Sequence, residues 1–145
     1  MTTVRDARAR SILEKSTFLS LGVNENNPPE IIFTNVGFAY EDNNKILNNL
    51  NLSIKSGQKV AIVGLSGSGK STIINLLMRF YSPSHGEIRV DDNNTLDYNL
   101  SDYRNNIGIV PQEVLLFGGT IMENIGYGKP GASLDEIVQA AKKEI

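Results

Sequence analysis

Short apolar runs of the kind found in β-strands dominate the chain from residue 31 onward. Three early strands are predicted by such runs, at Ile31–Phe38, Leu50–Ile54 and Lys59–Val63. The third contains Val60-Ala61-Ile62-Val63 without polar alternation, which is typical of a strand buried on both faces of a mostly parallel sheet. A glycine-rich turn follows, and the next apolar positions are spaced as on a helix: Ile73, Ile74, Leu76, Leu77 and Phe80.

The second half of the chain contains four further predicted elements. They are a strand over Glu87–Asp91, a short helix over Leu100–Asn105, a buried strand over Ile107–Val110 and a last helix over Leu134–Lys143. Early strands followed by a strand–loop–helix unit and another strand indicate an α/β layered domain.

The first 29 residues have a different character. Dense charge with few apolar positions over residues 1–21 predicts a surface or docking helix. Asn24–Pro29 combines asparagines with two prolines, which end that helix. We therefore predict a helical linker or docking segment over residues 1–29 and one domain over residues 30–145.

Composition narrows the function classes. The 145 residues carry a net charge of -2, which gives no general affinity for nucleic acid, so phosphate binding would need a local set of donors. There is no cysteine, which excludes disulfides and cysteine-based zinc sites. The longest apolar stretches fall far short of the roughly 18 residues of a membrane span, so we expect no transmembrane segment in this chain.

A phosphate-binding motif lies between the third predicted strand and the helix. Gly64-Leu65-Ser66-Gly67-Ser68-Gly69-Lys70-Ser71 matches G-x-x-x-x-G-K-[ST] at every fixed position. At average residue frequencies, a chance match in a chain of this length has a probability of about half a per cent. The alternative is a glycine-rich strand-to-helix connection with an accidental lysine, and the complete motif in this context argues against it.

Each residue type in the motif suits a nucleoside triphosphate. Glycines leave bare backbone whose N–H groups can surround phosphates, and the start of the next helix adds its positive dipole end. Lys70 is predicted to reach the β- and γ-phosphates, Ser71 to ligate Mg²⁺ and Thr72 to bond the α-phosphate. The predicted binding residues in this loop are Gly64, Ser66, Gly67, Ser68, Gly69, Lys70, Ser71 and Thr72.

The surroundings of the loop resemble one family. Phe38-Ala39-Tyr40 and Leu47–Gln58 before the loop, and Ile107–Glu113 and Leu116–Ile125 after it, resemble the nucleotide-binding domain of ABC transporters. The resemblance covers residues 30–145, and Phe117–Asn124 is similar to the exporter branch. It implies an α/β fold, a P-loop NTPase core with an antiparallel β layer, truncated before the helical subdomain and the acidic strand are complete.

The resemblance assigns roles to two more residues. Tyr40 would stack on adenine, although by itself it would be a packing residue at a sheet edge. Gln112 would contact Mg²⁺ and the attacking water, although by itself it would be a solvated turn residue. The predicted catalytic residues are therefore Lys70 and Gln112, and the predicted Mg²⁺ ligands are Ser71 and Gln112.

The implied function is the ATP·Mg²⁺-binding part of an exporter ATPase that couples ATP binding and hydrolysis to solute transport. The implied partners are transmembrane domains, which hold the chain at the cytoplasmic face of the membrane, and a second nucleotide-binding domain in a head-to-tail dimer. The alternative is a non-catalytic ATP-binding or regulatory fragment that docks on a transporter. A GTPase or small-molecule kinase is less favoured, since no Asn-Lys-x-Asp guanine-reading motif occurs.

Some of the family's motifs do not occur in these 145 residues. They are a serine-glycine-glycine signature, a strand ending in a Mg²⁺-binding aspartate, the adjacent catalytic glutamate and a switch histidine. We therefore expect this chain alone to bind ATP without turnover and to be marginally stable.

Three other polar residues are given no role in chemistry. His85 lies in a Ser-Pro-Ser-His-Gly turn and is predicted to be exposed. Asp91 and Asp92 follow an apolar strand, and we interpret them as residues of a hairpin turn rather than Mg²⁺ ligands.

Overall fold

The computed structural model describes residues 18–21, 28–41, 45–111, 113 and 115–143, which fall into two compact units divided after residue 112. The strands are β1 (Phe18–Leu21), β2 (Ile31–Ala39), β3 (Lys45–Ile54), β4 (His85–Val90), β5 (Asn93–Asn94) and β6 (Ile107–Val110). The helices are α1 (Lys70–Leu77), α2 (Leu100–Asn105), α3 (Ile121–Gly126) and α4 (Leu134–Lys143), with a 3₁₀ turn at Thr95–Asp97.

The larger unit is built on a four-stranded antiparallel sheet in the order β3-β2-β4-β5. Its central strand, β2, pairs along one edge with β3, where Ile31 faces Ile54, and along the other with β4, where Ile31 faces Val90. This sheet is the antiparallel β layer that the sequence predicts, and the predicted α/β fold is confirmed.

A bulge interrupts β2 near its middle. Asn35 adopts a positive φ of 48°, and the pairing register with β3 shifts between Phe33 and Val36. On the neighbouring strand Gly86 has φ 77°, and an added Cβ would lie 2.4 Å from the carbonyl oxygens of Thr34 and Asn35. Only glycine fits such a close approach of two backbones. The bulge changes the direction in which the side chains of β2 point, so that consecutive residues are buried.

The hydrophobic core lies between this sheet and helix α1. Its most deeply buried side chains are Phe33, Val36 and Ile88 from the sheet and Leu76 from α1, each no more than 2% exposed. Ile73 and Leu77 lie in the same cluster, at the spacing that places them on one face of α1. Helix α1 is therefore fixed to the sheet, and the loop that precedes it starts from a rigid support.

The prediction of a buried strand over Lys59–Val63 is wrong. These residues belong to no strand, and Val63 is 69% exposed. A strand needs a hydrogen-bonded neighbour, and the other predicted buried strand, β6, pairs with β1 in antiparallel register, with Val110 opposite Phe18. The prediction that β6 is a strand is confirmed, but the prediction that it is buried is wrong, since Val110 is 57% exposed.

The predicted N-terminal helix is wrong for its last residues, because Phe18–Leu21 forms strand β1. Residues 1–17 and 22–27 lie outside the described residues, and the domain boundary at residues 29 and 30 stays a prediction.

The predicted helices over Leu100–Asn105 and Leu134–Lys143 are confirmed at the same bounds. Also confirmed are the exposure of His85 and the turn at Asp91, where φ is 52°.

The smaller unit consists of α3, α4 and their connections. Each helix begins with a reciprocal cap, in which Thr120 pairs with Glu123 and Ser133 with Glu136. Hydrogen bonds from Lys129 and from Ser133 hold the pKa of Glu136 down at about 2, so this carboxylate stays ionised at neutral pH. Within the described residues, no helix of either unit is long and apolar enough to cross a membrane.

Candidate functional site

The phosphate loop, Gly64–Gly69, connects the extended residues before it to helix α1. Gly67 and Gly69 have φ of 80° and 87°, values that side-chain-bearing residues rarely adopt. Gly69 is also pressed against β3, because an added Cβ would lie 2.9 Å from Leu47 Cδ2. Successive turns through left-handed glycines aim backbone N–H groups to one side, which is the geometry of an anion-binding concavity.

Several of these N–H groups have no acceptor among the described residues. Gly69 caps α1 without a side-chain hydrogen bond, and the N–H groups of Lys70, Ser71 and Thr72 belong to the first turn, where no helical acceptor exists. The first turn contains no acidic residue that would repel an anion. Donors without partners at the positive end of a helix dipole fit phosphate oxygens, so the loop passes this test for a nucleotide.

The ammonium group of Lys70 lies over the same loop. Its Nζ donates hydrogen bonds to the carbonyl oxygens of Gly64 at 3.0 Å and Leu65 at 2.8 Å. The cation therefore lies at the loop that leads into the unpaired N–H groups of α1. The two carbonyl bonds hold the flexible lysine stem in place beside the concavity.

The two hydroxyl groups after Lys70 have different environments. Ser71 is exposed, and its hydroxyl forms no hydrogen bond within the described residues, so its oxygen is available to a hard cation such as Mg²⁺. Thr72 is only 4% exposed, and its Oγ1 lies 3.3 Å from Tyr40 Oη. Thr72 therefore already has a hydrogen-bond partner inside the protein.

Tyr40 follows the end of β2 and lies against α1. Its ring packs edge-on against Phe38 and Tyr81, with centroids 4.8 and 5.1 Å away, and the residue remains 46% exposed. Its hydroxyl also accepts a hydrogen bond from Asn75 Nδ2 at 3.3 Å. These contacts place an exposed aromatic ring beside the helix that carries the phosphate loop, which suits a flat base on the same nucleotide.

The structure places the other predicted site residues as follows. Ser66 and Ser68 are exposed in the loop, and Ser68 N donates to Leu65 O at 3.2 Å to close its turn. Gln112, the predicted catalytic residue and second Mg²⁺ ligand, lies outside the described residues. No group of three or more histidine, aspartate or glutamate side chains with metal-site geometry occurs in the described part of the chain.

Three residues around the site were not singled out from the sequence. Asn75 bonds Tyr40, and Tyr103 and Arg104 bond the carboxyl end of α1 from 25 or 26 residues away. A tyrosine and an arginine on a short polar helix give no sequence signal of such contacts, because the same pattern is typical of a solvated helix face.

The exporter-like stretch, Phe117–Asn124, forms a preorganised loop in the smaller unit. The side chain of Asn124 bonds both backbone groups of Phe117, accepting at 2.8 Å and donating at 3.1 Å, and also donates to Thr120 O. The Phe117 ring stacks on Tyr127 at 4.5 Å. An open, mostly apolar pocket results, lined by Leu116, Phe117, Gly119, Ile121, Asn124 and Ile125.

Comparison with known proteins identifies the family of this chain. The sequence profile of the family described as ABC transporter matches residues 47–144. An uncharacterized ABC transporter ATP-binding protein of Bacillus subtilis is 50% identical over 113 residues, which are 78% of this chain and 20% of that protein. The mitochondrial iron-sulfur clusters transporter ATM1 of Chaetomium globosum is 44% identical over 133 residues, which are 92% of this chain and 22% of that protein.

A solved structure agrees with the fold. The structure of a bacterial Atm1-family ABC exporter with ATP bound matches with a TM-score of 0.74 and 40% identity, over 85% of this chain and 22% of that chain. The chain thus spans about a fifth of the length of these relatives. Because the family profile covers more than half of the chain and the fold agrees with a solved exporter, the chain belongs to the ABC transporter family and covers part of its nucleotide-binding domain.

Proposed function

We propose that this chain is the ATP·Mg²⁺-binding part of an exporter ATPase, which couples ATP binding and hydrolysis to solute transport in the complete assembly. The observation that carries the proposal is the phosphate loop, where unpaired N–H groups from Gly69 to Thr72 lie together with the ammonium group of Lys70. Neutral and cationic donors at one helix end bind a polyphosphate without any basic surface elsewhere.

The residues of the site have different tasks in this proposal. The loop from Gly64 to Gly69 surrounds the phosphates, and Lys70 exchanges its two carbonyl bonds for phosphate oxygens. The Ser71 hydroxyl ligates Mg²⁺, which supplies positive charge next to the phosphate oxygens. The Tyr40 ring stacks on adenine, and Gln112 contacts the metal and the attacking water.

The partners follow from family membership. We propose transmembrane domains as one partner, which the chain contacts through the apolar surface around Phe117 and Ile121. These domains keep the chain at the cytoplasmic face of a membrane. The second partner is another nucleotide-binding domain in a head-to-tail dimer. The printed role of the Chaetomium relative, transport of iron-sulfur clusters, belongs to that protein, and the solute of this chain is left open.

We further propose that these 145 residues bind ATP without turnover, the behaviour of a non-catalytic fragment. Hydrolysis needs a carboxylate that orients the attacking water, and the family's acidic strand with its adjacent glutamate does not occur among these residues. The test combines an equilibrium titration with ATP and Mg²⁺ and a phosphate-release assay on the same protein. We expect saturable binding and no steady phosphate release.

Three results would change this proposal in different ways. Steady turnover that disappears in Lys70→Ala would show that the chain is a complete ATPase by itself. Absence of ATP binding by the folded chain would contradict the site assignment. Tighter binding of GTP than of ATP in a competition assay would favour a GTPase.

The Tyr40→Ala variant is expected to weaken ATP binding about 5- to 150-fold, because base stacking on an aromatic ring is worth about 1–3 kcal/mol. Tyr40→Phe is the matched control, since it keeps the ring and loses only the hydroxyl contacts with Thr72 and Asn75. Titration of both variants with ATP measures the effect. Unchanged ATP affinity in Tyr40→Ala, with a lower melting temperature, would mean that Tyr40 only packs at the sheet edge.

A further inference from the structure

The carboxyl end of helix α1 is closed by an unusual cap. Arg79 adopts the left-handed conformation with φ 56°, and the Phe80 N–H bonds Asn75 O at 2.9 Å while the Arg79 N–H bonds Leu76 O at 3.0 Å. This double hydrogen bond is the Schellman arrangement, in which glycine is the usual left-handed residue. An arginine there carries a conformational strain that glycine would avoid.

Side chains from helix α2 bond the carbonyl groups that the cap leaves open. Tyr103 Oη donates to Leu77 O at 2.7 Å, Arg104 Nε to Met78 O at 3.0 Å and Arg104 Nη2 to Arg79 O at 2.8 Å. Three consecutive carbonyl oxygens at the negative end of the α1 dipole are thereby held by neighbouring residues of one other helix.

Further contacts fix the orientation of these side chains. The Arg104 guanidinium lies over the Phe80 ring, with 5.0 Å between its central carbon and the ring centroid, and the Arg79 guanidinium bonds Tyr98 O at 2.8 Å. Burial raises the pKa of Tyr103 to about 12, so its hydroxyl remains protonated and able to donate at neutral and moderately alkaline pH. The planar guanidinium of Arg104 bonds its two carbonyls through two different nitrogens, Nε and Nη2, held at a fixed spacing that the single nitrogen of a lysine lacks.

We propose that Arg104 is a positioning residue for the nucleotide site, acting on the phosphate loop through helix α1. The eight residues of α1 form one rigid element about 12 Å long, with Lys70 at one end and the bonded carbonyls at the other. A shift of the carboxyl end therefore shifts the N–H groups and the lysine that face the phosphates. This inference rests on the proposed function of that loop as an ATP site.

The test compares Arg104→Met, which removes both donors, with Arg104→Lys, which retains the charge but offers a single donor nitrogen. Arg89→Met is the matched control, because the Arg89 guanidinium also bonds a backbone carbonyl, that of Asp92, but on the β4–β5 hairpin. Two quantities are measured on the whole 145-residue chain: the dissociation constant for ATP with Mg²⁺, and the hydrogen-exchange rates of the hydrogen-bonded α1 amides from Ile73 to Leu77.

We expect Arg104→Met to bind ATP about tenfold more weakly and to exchange the α1 amides faster, since hydrogen bonds to a charged group are the stronger kind. Arg104→Lys should lose less affinity, and Arg89→Met should match the unmodified chain. Unchanged ATP affinity in folded Arg104→Met, or an equal loss in Arg89→Met, overturns the inference. If Arg104→Met does not fold, the comparison of Arg104→Lys with Arg89→Met decides by the same criteria.

The experiment separates this inference from the proposed function. If the unmodified chain fails to bind ATP, the proposed function fails, and the exchange rates then decide the role of Arg104 alone. Faster exchange of the α1 amides in the Arg104 variants than in Arg89→Met supports the positioning role, and equal rates overturn it.

Discussion

The Lys70→Ala variant is expected to bind ATP about a hundredfold more weakly than the unmodified chain. The side chain brings the charged donor that the structure places over the phosphate loop, and hydrogen bonds to a charged group are each worth about 1.5–3 kcal/mol. The fold should persist, because the described partners of Lys70 Nζ are two loop carbonyls, those of Gly64 and Leu65, and the residue is not part of the core. Titration with ATP and Mg²⁺ measures the loss.

Lys55→Ala is the control for this experiment. Lys55 is exposed at the end of β3, so its removal changes the net charge equally without touching the loop. We expect its ATP affinity to equal that of the unmodified chain. A similar loss of affinity in both variants would show a general charge effect, and an unchanged affinity in Lys70→Ala would remove Lys70 from the site.

The Leu76→Ala variant is expected to lose about 2–5 kcal/mol of the free energy of unfolding, which is a large part of the total for a small domain. Leu76 is 1% exposed and lies in the core between α1 and the sheet, so its truncation leaves a cavity between that helix and the sheet. Urea denaturation followed by circular dichroism measures the loss. Saturating ATP should restore part of it, because a ligand that binds only the folded state stabilises that state.

The same substitution at an exposed leucine is the matched control. Leu96 is 48% exposed in the 3₁₀ turn, and Leu96→Ala should change the free energy of unfolding by no more than about 0.5 kcal/mol. Equal losses in the two variants would contradict the placement of the core between α1 and the sheet.

The fold was predictable where a short segment determines its own structure. Helix α4 and helix α2 could be read from local periodicity, and β2 and β4 from apolar runs bounded by turn residues. The conformation of Lys59–Val63 was not predictable, because an apolar run indicates a tendency to form a strand but does not show which neighbouring strand is present. Phe18–Leu21 is too short for its pattern to separate a strand from the end of a helix.

The candidate site also has a part that the sequence predicts and a part that it does not. The phosphate loop could be identified because its chemistry needs contiguous residues, from Gly64 to Thr72. The contacts of Arg104 and Tyr103 with α1 could not, because they join residues 25 or 26 positions apart and depend on how α2 packs. The bond between Tyr40 and Thr72, 32 positions apart, is of the same kind.

The central claim is that the backbone from Gly64 to Thr72 forms a concave set of N–H donors that holds the phosphates of ATP. A crystal structure of the chain with Mg²⁺ and a non-hydrolysable ATP analogue tests it most directly. We predict phosphate oxygens within hydrogen-bond distance of the N–H groups of Gly69, Lys70 and Ser71, with Lys70 Nζ moved from the loop carbonyls onto the phosphates. An analogue bound elsewhere, or a loop that stays closed on Lys70 at saturating analogue, would contradict the claim.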